Sequence, residues 1–158
     1  MYPLHTHSAV VLPAWIDYND HMTEGFYGVA FADASDAFLL DQGFDADYRK
    51  THRGAFYTVE THIRFLQQLE LNDPIVFETL VLGIDARRVH LFHSMLHGEE
   101  RYLAATQEVL MLHVNRDSVR VASMSDDLLS SLLPFAEAHA DVERPEGVGA
   151  AVRPVVKS

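Results

Sequence analysis

The sequence contains no cysteine. That excludes disulfides, a thiolate nucleophile, a cysteine-held zinc and an iron–sulfur cluster, and it suits a reduced cytoplasm. Positive charge is scarce: 12 Lys and Arg stand against 23 Asp and Glu, a formal net charge of −11. A surface with that balance does not attract nucleic acid or an anionic membrane as a whole. No apolar run approaches the roughly 20 residues that span a bilayer. Met1 to Val11 carries no Lys or Arg ahead of its short apolar stretch, so it does not read as a secretory signal. Repeats and low-complexity tracts are also missing. What is present is 158 residues, 48% of them hydrophobic and 22% charged. These numbers suit one globular domain that builds its own core, expected in the cytoplasm.

The pattern changes period along the chain. Val10 to Trp15 is a short apolar run broken by Pro13 and is expected to form an edge strand. Asp17 to Gly25 is polar and loop-like. Phe26, Ala30, Ala34, Ala37 and Phe38 then recur at helical steps, and Gly43 supplies a stop. Alanine in that stripe lets a sheet approach the helix axis closely. From Tyr57 to Phe65 the odd positions (Tyr57, Val59, Thr61, Ile63, Phe65) alternate with Thr58, Glu60, His62 and Arg64, which predicts a half-buried strand. Further strands are expected over Ile75–Ile84, Arg88–Leu96, Tyr102–Val114 and Val119–Ala122, separated by turns at Asn72-Asp73-Pro74, Asp85-Ala86 and Gly98-Glu99-Glu100. A last helix is expected to start on Ser125 as N-cap, with Asp126 and Asp127 at its positive end and Leu128, Leu129, Leu132 and Leu133 as its apolar face. Pro134 is expected to kink or restart it. Short turns between successive strands imply an antiparallel meander, so the class is α+β: a long antiparallel sheet curling around an alanine-rich central helix. Residues 1–140 make the domain, and residues 141–158 read as an arm or a disordered tail.

The loop ahead of the helix holds Asp17, Asn19, Asp20 and His21. Free backbone N–H groups at a helix start favour an anion or a polarised carbonyl oxygen, and a nearby carboxylate supplies a base or nucleophile. The plainer alternative is that Asp and Asn make turn and cap bonds. Basic residues are few and local: Arg49-Lys50 with Arg53, and Arg87-Arg88. His90, His93 and His97 do not converge on one face of a strand, and His5 and His7 make no better case, so no metal is expected.

The run Asp17-x-Asn19-x-His21-Met22-x-x-x-x-Tyr27 resembles the signature of hotdog-fold acyl-CoA thioesterases of the 4-hydroxybenzoyl-CoA thioesterase type. Two positions depart from that pattern: Asp20 stands where glycine is usual and Thr23 where asparagine is usual. Ala55 to His62, Gly83 to His93 and Leu110 to Val114 resemble a narrower branch, the betainyl-CoA thioesterases of carnitine catabolism. The similarity runs over roughly residues 8 to 140. It implies a hotdog fold and hydrolysis of a small acyl-CoA to an acid and free CoA, with no cofactor beyond the CoA of the substrate.

On this resemblance Asp17 attacks the thioester carbon or activates water, while Asn19 and His21 shape the loop and orient it. Amides from Thr23 to Phe26 polarise the carbonyl. A quaternary ammonium acyl group calls for aromatic faces and negative charge, which points to Trp15, Tyr18, Tyr27, Phe56, Tyr57 and Glu60. The family fold places Glu60 near the helix. Arg87 and Arg88 are the candidates for CoA phosphates. The sheet edge implies a homodimer or a dimer of dimers. A hotdog enoyl-CoA hydratase and a non-catalytic acyl-CoA-binding domain are the rivals. Hydratases of this fold space their Asp and His five residues apart, against four from Asp17 to His21.

Overall fold

A computed structural model describes residues 2–156. Met1, Lys157 and Ser158, the ends of the expected domain and tail, lie outside the described residues. Helix α1 spans Glu24–Asp41, the short α2 spans Ala46–Thr51 and α3 spans Asp126–His139. The strands are β1 His5–Val10, β2 Gly54–Phe65, β3 Pro74–Ile84, β4 Arg88–His97, β5 Leu103–Asn115 and β6 Arg120–Val121. They form one antiparallel sheet in the order β1-β3-β4-β5-β2, with β6 beside β5. The antiparallel sheet and helix are as expected, but of the long strands only β3, β4 and β5 form a meander; β2 does not pair with the strand that follows it but lies at the far edge beside β5, while β1 takes the place next to β3, because residues 66–73 carry the chain across the sheet instead of closing a tight turn.

Helix α1 buries Ala30, Phe31, Ala34, Ser35, Phe38 and Leu39 against the sheet. Phe31 and Phe38 are fully buried, and side chains of that kind contribute about 1.5–3 kcal/mol each. Gly43 closes the helix at φ 100°, and the Phe44 N–H reaches back to the Leu39 carbonyl, a left-handed stop that glycine adopts without a Cβ clash. One face of α1 stays bare, however. Val29 and Leu40 are 46% and 54% exposed, and Ala32 is exposed beside them. Within one chain the sheet sheathes only half of the helix.

Three local expectations need correction. The first strand is His5–Val10, whereas Pro13–Trp15 forms a 3-10 turn; Pro13 has no N–H for a ladder and its fixed φ suits the start of a helical turn. Pro134 does not restart α3, which runs as one helix to His139. Both ends of α3 are anchored: Ser125 accepts from the Leu128 N–H at 3.2 Å, and the Val81 N–H donates to His139 Nδ1 at 3.0 Å. The third correction is in β2, whose register slips between Thr58 and Glu60. Tyr57 pairs with Leu112 and Phe56 with His113, so the strict odd–even alternation fails at that bulge.

The segment after α3 lies against the outer face of the sheet. Arg64 donates to Glu146 at 2.9 Å, and the Gly149 N–H donates to Glu108 at 2.5 Å.

Candidate active site

Trp15 to Thr23 forms a small hairpin ahead of α1. Isolated bridges join Ile16 to Met22 and His21 to Glu70. The Met22 N–H bonds the Leu69 carbonyl at 2.9 Å and the Thr23 N–H bonds the Trp15 carbonyl at 2.8 Å. At its tip the Asp17 N–H donates to the His21 carbonyl at 2.9 Å and the Asp20 N–H to the Asp17 carbonyl at 3.1 Å. Asp20 adopts φ 62°, the left-handed conformation that glycine takes most easily and Asp tolerates. The unusual residue at this position therefore keeps the turn.

This hairpin aims Asp17. Its Oδ1 accepts the Asn19 N–H at 2.8 Å, with the His21 N–H farther off at 3.5 Å. Asn19 and His21 thus hold Asp17 through the backbone. Both contacts fall on Oδ1, so Oδ2 keeps its lone pairs for a water or an acyl carbon. Thr23 is the N-cap of α1 without a side-chain cap bond. The Phe26 N–H is taken by the Thr23 carbonyl at 3.0 Å, so the Glu24 and Gly25 N–H groups are the ones placed to meet an incoming oxygen.

Asp17, Asn19, His21, Glu24, Tyr27 and Phe65 line one open cavity of about 290 Å³. Tyr27 is buried, and its ring meets that of Phe65 edge-on at 5.2 Å. Burial raises the Tyr27 phenol above its ordinary range, and the charge of Asp73 adds to the rise. It stays protonated near neutrality. Phe65, Leu66, Gln67 and Gln68 were not among the residues expected here. Phe65 closes the inner-face run of β2, a position that sequence reads as core.

Other expected residues lie elsewhere in the chain. Trp15 is buried in the core and stacks on Phe26 at 6.1 Å. Tyr18 points away, 93% exposed, so neither forms a cage around this cavity. Phe56 packs against Phe44 and His113 at the far end of β2. Glu60 does not approach α1. Its neighbour Thr61 pairs with core-facing Val109, so Glu60 faces outward and shares a separate cavity of about 280 Å³ with His62, His90 and Glu108. Arg87 and Arg88 sit at the β3–β4 turn, where Arg88 is tied to Asp85. Ile84 and Val89 beside that turn pack in one core cluster with Phe38 and Leu39 from the C-terminal half of α1, whereas Asp17 precedes the N-terminal end of that helix.

The three histidines of β4 diverge. His93 is buried between Ser35 (2.7 Å) and Thr79 (2.9 Å), His90 pairs with Glu108 at 2.7 Å, and His97 lies near Asp73 at 3.5 Å. Among the described residues no group of three potential ligands converges on a metal position.

The profile of the thioesterase-like superfamily matches residues 11–132. The chain belongs to this family. Betainyl-CoA thioesterase of Pseudomonas aeruginosa is 35% identical over 92% of this chain and 92% of its own length. The L-carnitine dehydrogenase/betainyl-CoA thioesterase of Agrobacterium fabrum is 40% identical over 98% of this chain, which spans 31% of that longer protein. Among solved structures, a Staphylococcus aureus protein in complex with CoA superposes with a TM-score of 0.90 at 26% identity, covering 98% of both chains. The hotdog fold is thus shared along the whole length. No described helix is long and apolar enough to cross a membrane.

Proposed function

We propose that this member of the thioesterase-like superfamily hydrolyses a small acyl-CoA, betainyl-CoA, to the free acid and CoA. The observation that carries the reading is Asp17: a carboxylate held by one oxygen, in the same cavity as residues at the start of α1. As water or the carboxylate adds to the thioester carbon, the carbonyl oxygen gains charge and the Glu24 and Gly25 amides stabilise it. Two routes use the same group: Asp17 takes a proton from the attacking water, or it forms an anhydride that water then opens. Either way the C–S bond breaks, CoA leaves as a thiolate and the acid leaves as a carboxylate. The Tyr27 and Phe65 rings and the acidity of Asp17, Asp20 and Glu24 suit a quaternary ammonium, which cannot donate a hydrogen bond.

A second copy completes the site on this reading. Strand β2 ends the sheet with a free edge, and its bulge residue Val59 and helix-side Phe65 are 52% and 49% exposed. Antiparallel pairing of β2 with its two-fold mate covers them, together with the bare face of α1. The Gly54 end of one β2 then lies by the Phe65 end of the other. Phe56 and Tyr57 of the mate approach the Asp17 cavity, and Arg87 and Arg88 lie two strands farther on for the CoA phosphates. The absence of cysteine and the acidic charge fit a cytoplasmic setting.

A thiol-release assay over an acyl-CoA panel tests the proposal on a sample sized by sedimentation. The expected outcome is a dimer with the highest kcat/KM on betainyl-CoA. Binding without thiol release would leave an acyl-CoA-binding domain, and water addition to crotonyl-CoA would favour the hydratase. An active monomer would remove the composite site.

A further inference from the structure

A betainyl group carries its charge very close to the bond that breaks. Its skeleton is N–C–C(=O), so the quaternary nitrogen stands about 2.5 Å from the carbonyl carbon. Wherever the thioester carbon meets Asp17, the cation is already inside the same cavity. The lining of that cavity holds two carboxylates, Asp17 and Glu24, one imidazole, His21, and no Lys or Arg. Asp20 belongs to the same loop but not to the lining. The two lining carboxylates are held differently. Asp17 is fixed through Oδ1 by the Asn19 N–H. Glu24 is exposed at the first position of α1, and it joins no ion pair among the described residues.

A glutamate at a helix start has an ordinary explanation, because the positive end of the helix dipole favours a negative side chain by about 0.3–1 kcal/mol. At this helix start it also opposes the reaction. The Glu24 and Gly25 amides are the ones placed to meet the carbonyl oxygen, and negative charge grows on that oxygen during addition. A carboxylate on the residue that supplies one of these amides repels the growing charge. For a neutral acyl group nothing in the lining offsets that repulsion. A quaternary ammonium two bonds from the oxygen-bearing carbon does offset it. A second carboxylate also gives the cation a seat other than the Asp17 oxygen that has to react.

We propose that Glu24 selects a cationic acyl end, its carboxylate serving as counter-ion to the quaternary ammonium while Asp17 reacts. The inference rests on the thioesterase reading above and deepens it, since it assigns the choice between charged and neutral acyl groups to one of three nearby acidic residues. Asp17 is committed to the carbonyl carbon, and Asp20 lies outside the lining. The ammonium has no N–H to donate, so the contact is a charge pair made through its methyl groups and needs no fixed direction. An exposed glutamate on its own flexible stem suits such a contact.

The test compares betainyl-CoA with its uncharged carbon isostere, tert-butylacetyl-CoA, on wild type, Glu24→Gln and Asp20→Asn. In Glu24→Gln, kcat/KM is expected to fall about threefold for betainyl-CoA and to rise about threefold for the isostere, so their ratio drops about tenfold. Asp20→Asn removes the same charge from the same loop, and Asn tolerates the left-handed turn. It is expected to move both substrates by one factor, as a general effect on the CoA phosphates would. Tm falls slightly in Glu24→Gln whichever role is correct, because Gln loses the dipole contact; the ratio decides. A ratio that stays constant in Glu24→Gln would assign Glu24 to helix stability alone and overturn the proposal, leaving the hydrolase reading standing. A ratio that drops equally in Asp20→Asn would overturn it as well, by assigning selection to the loop's overall charge. A wild type that hydrolyses neither substrate would instead strike the functional reading itself.

Discussion

Two buried side chains show how differently one sheet treats polarity. His93 is fully buried and fully bonded, and burial lowers its pKa to about 3, with the charge of His5 adding to the effect. The unfolded chain binds a proton there below about pH 6.5, whereas the folded chain does not until about pH 3. Stability from this group is therefore intact above pH 6.5 and falls as pH drops towards 3, by up to about 1.4 kcal/mol per pH unit. Between pH 6.5 and 5 the expected loss is about 2 kcal/mol. Urea unfolding at pH 7 and pH 5 should show wild type losing that much more than His93→Gln, which does not titrate. Equal losses would contradict the assignment. The sequence shows His93 only as one of three histidines in a strand, and nothing local marks its bonds to Ser35 and Thr79, 58 and 14 residues away. Gln107, 6% exposed with its buried Oε1 unpaired among the described residues, was by contrast legible in principle: Ala105, Gln107, Val109 and Met111 form an alternation with one polar member.

At the scale of elements, local chemistry reads well and long-range phase does not. Helix α1, its stop at Gly43 and the Ser125 cap follow from residue types a few positions apart. The Asp17–His21 segment reads only as a polar loop; its hairpin and left-handed Asp20 come from the structure. That turn predicts its own mutational pattern. Asp20→Gly should keep turnover and stability. Asp20→Val, with a branched Cβ at φ 62°, should cost about 1–2 kcal/mol and reduce thiol release by misaiming Asp17; unchanged kcat and Tm would contradict this account of the loop. Glu60 takes the outward face that its alternation with Thr61 and Ile63 gives it, and only the family resemblance placed it near the helix; Tyr57 lies beyond the register slip between Thr58 and Glu60, and a one-residue slip changes which face a side chain takes. No residue type near Thr58 announces that slip. No restart occurs at Pro134 because its missing N–H is weighed against anchors at Ser125 and His139, and the second depends on a strand far away in sequence.

At the scale of the whole molecule, three features of the single chain bear on the proposed dimer. Its sheet ends on a free, half-apolar strand, its central helix is bare on one side, and Phe56, Arg87 and Arg88 lie outside the Asp17 cavity. The dimer proposed above would account for all three features at once. The catalytic part of the account nevertheless rests on one carboxylate. The most direct measurement is thiol release from saturating betainyl-CoA by wild type and Asp17→Asn, with CoA affinity and Tm recorded on the same samples. Asn preserves the acceptor for the Asn19 N–H but neither takes a proton nor forms an anhydride, so kcat should fall by about 10²–10⁴ while affinity and Tm stay within error. A variant that releases CoA as fast as wild type would contradict the account at its centre.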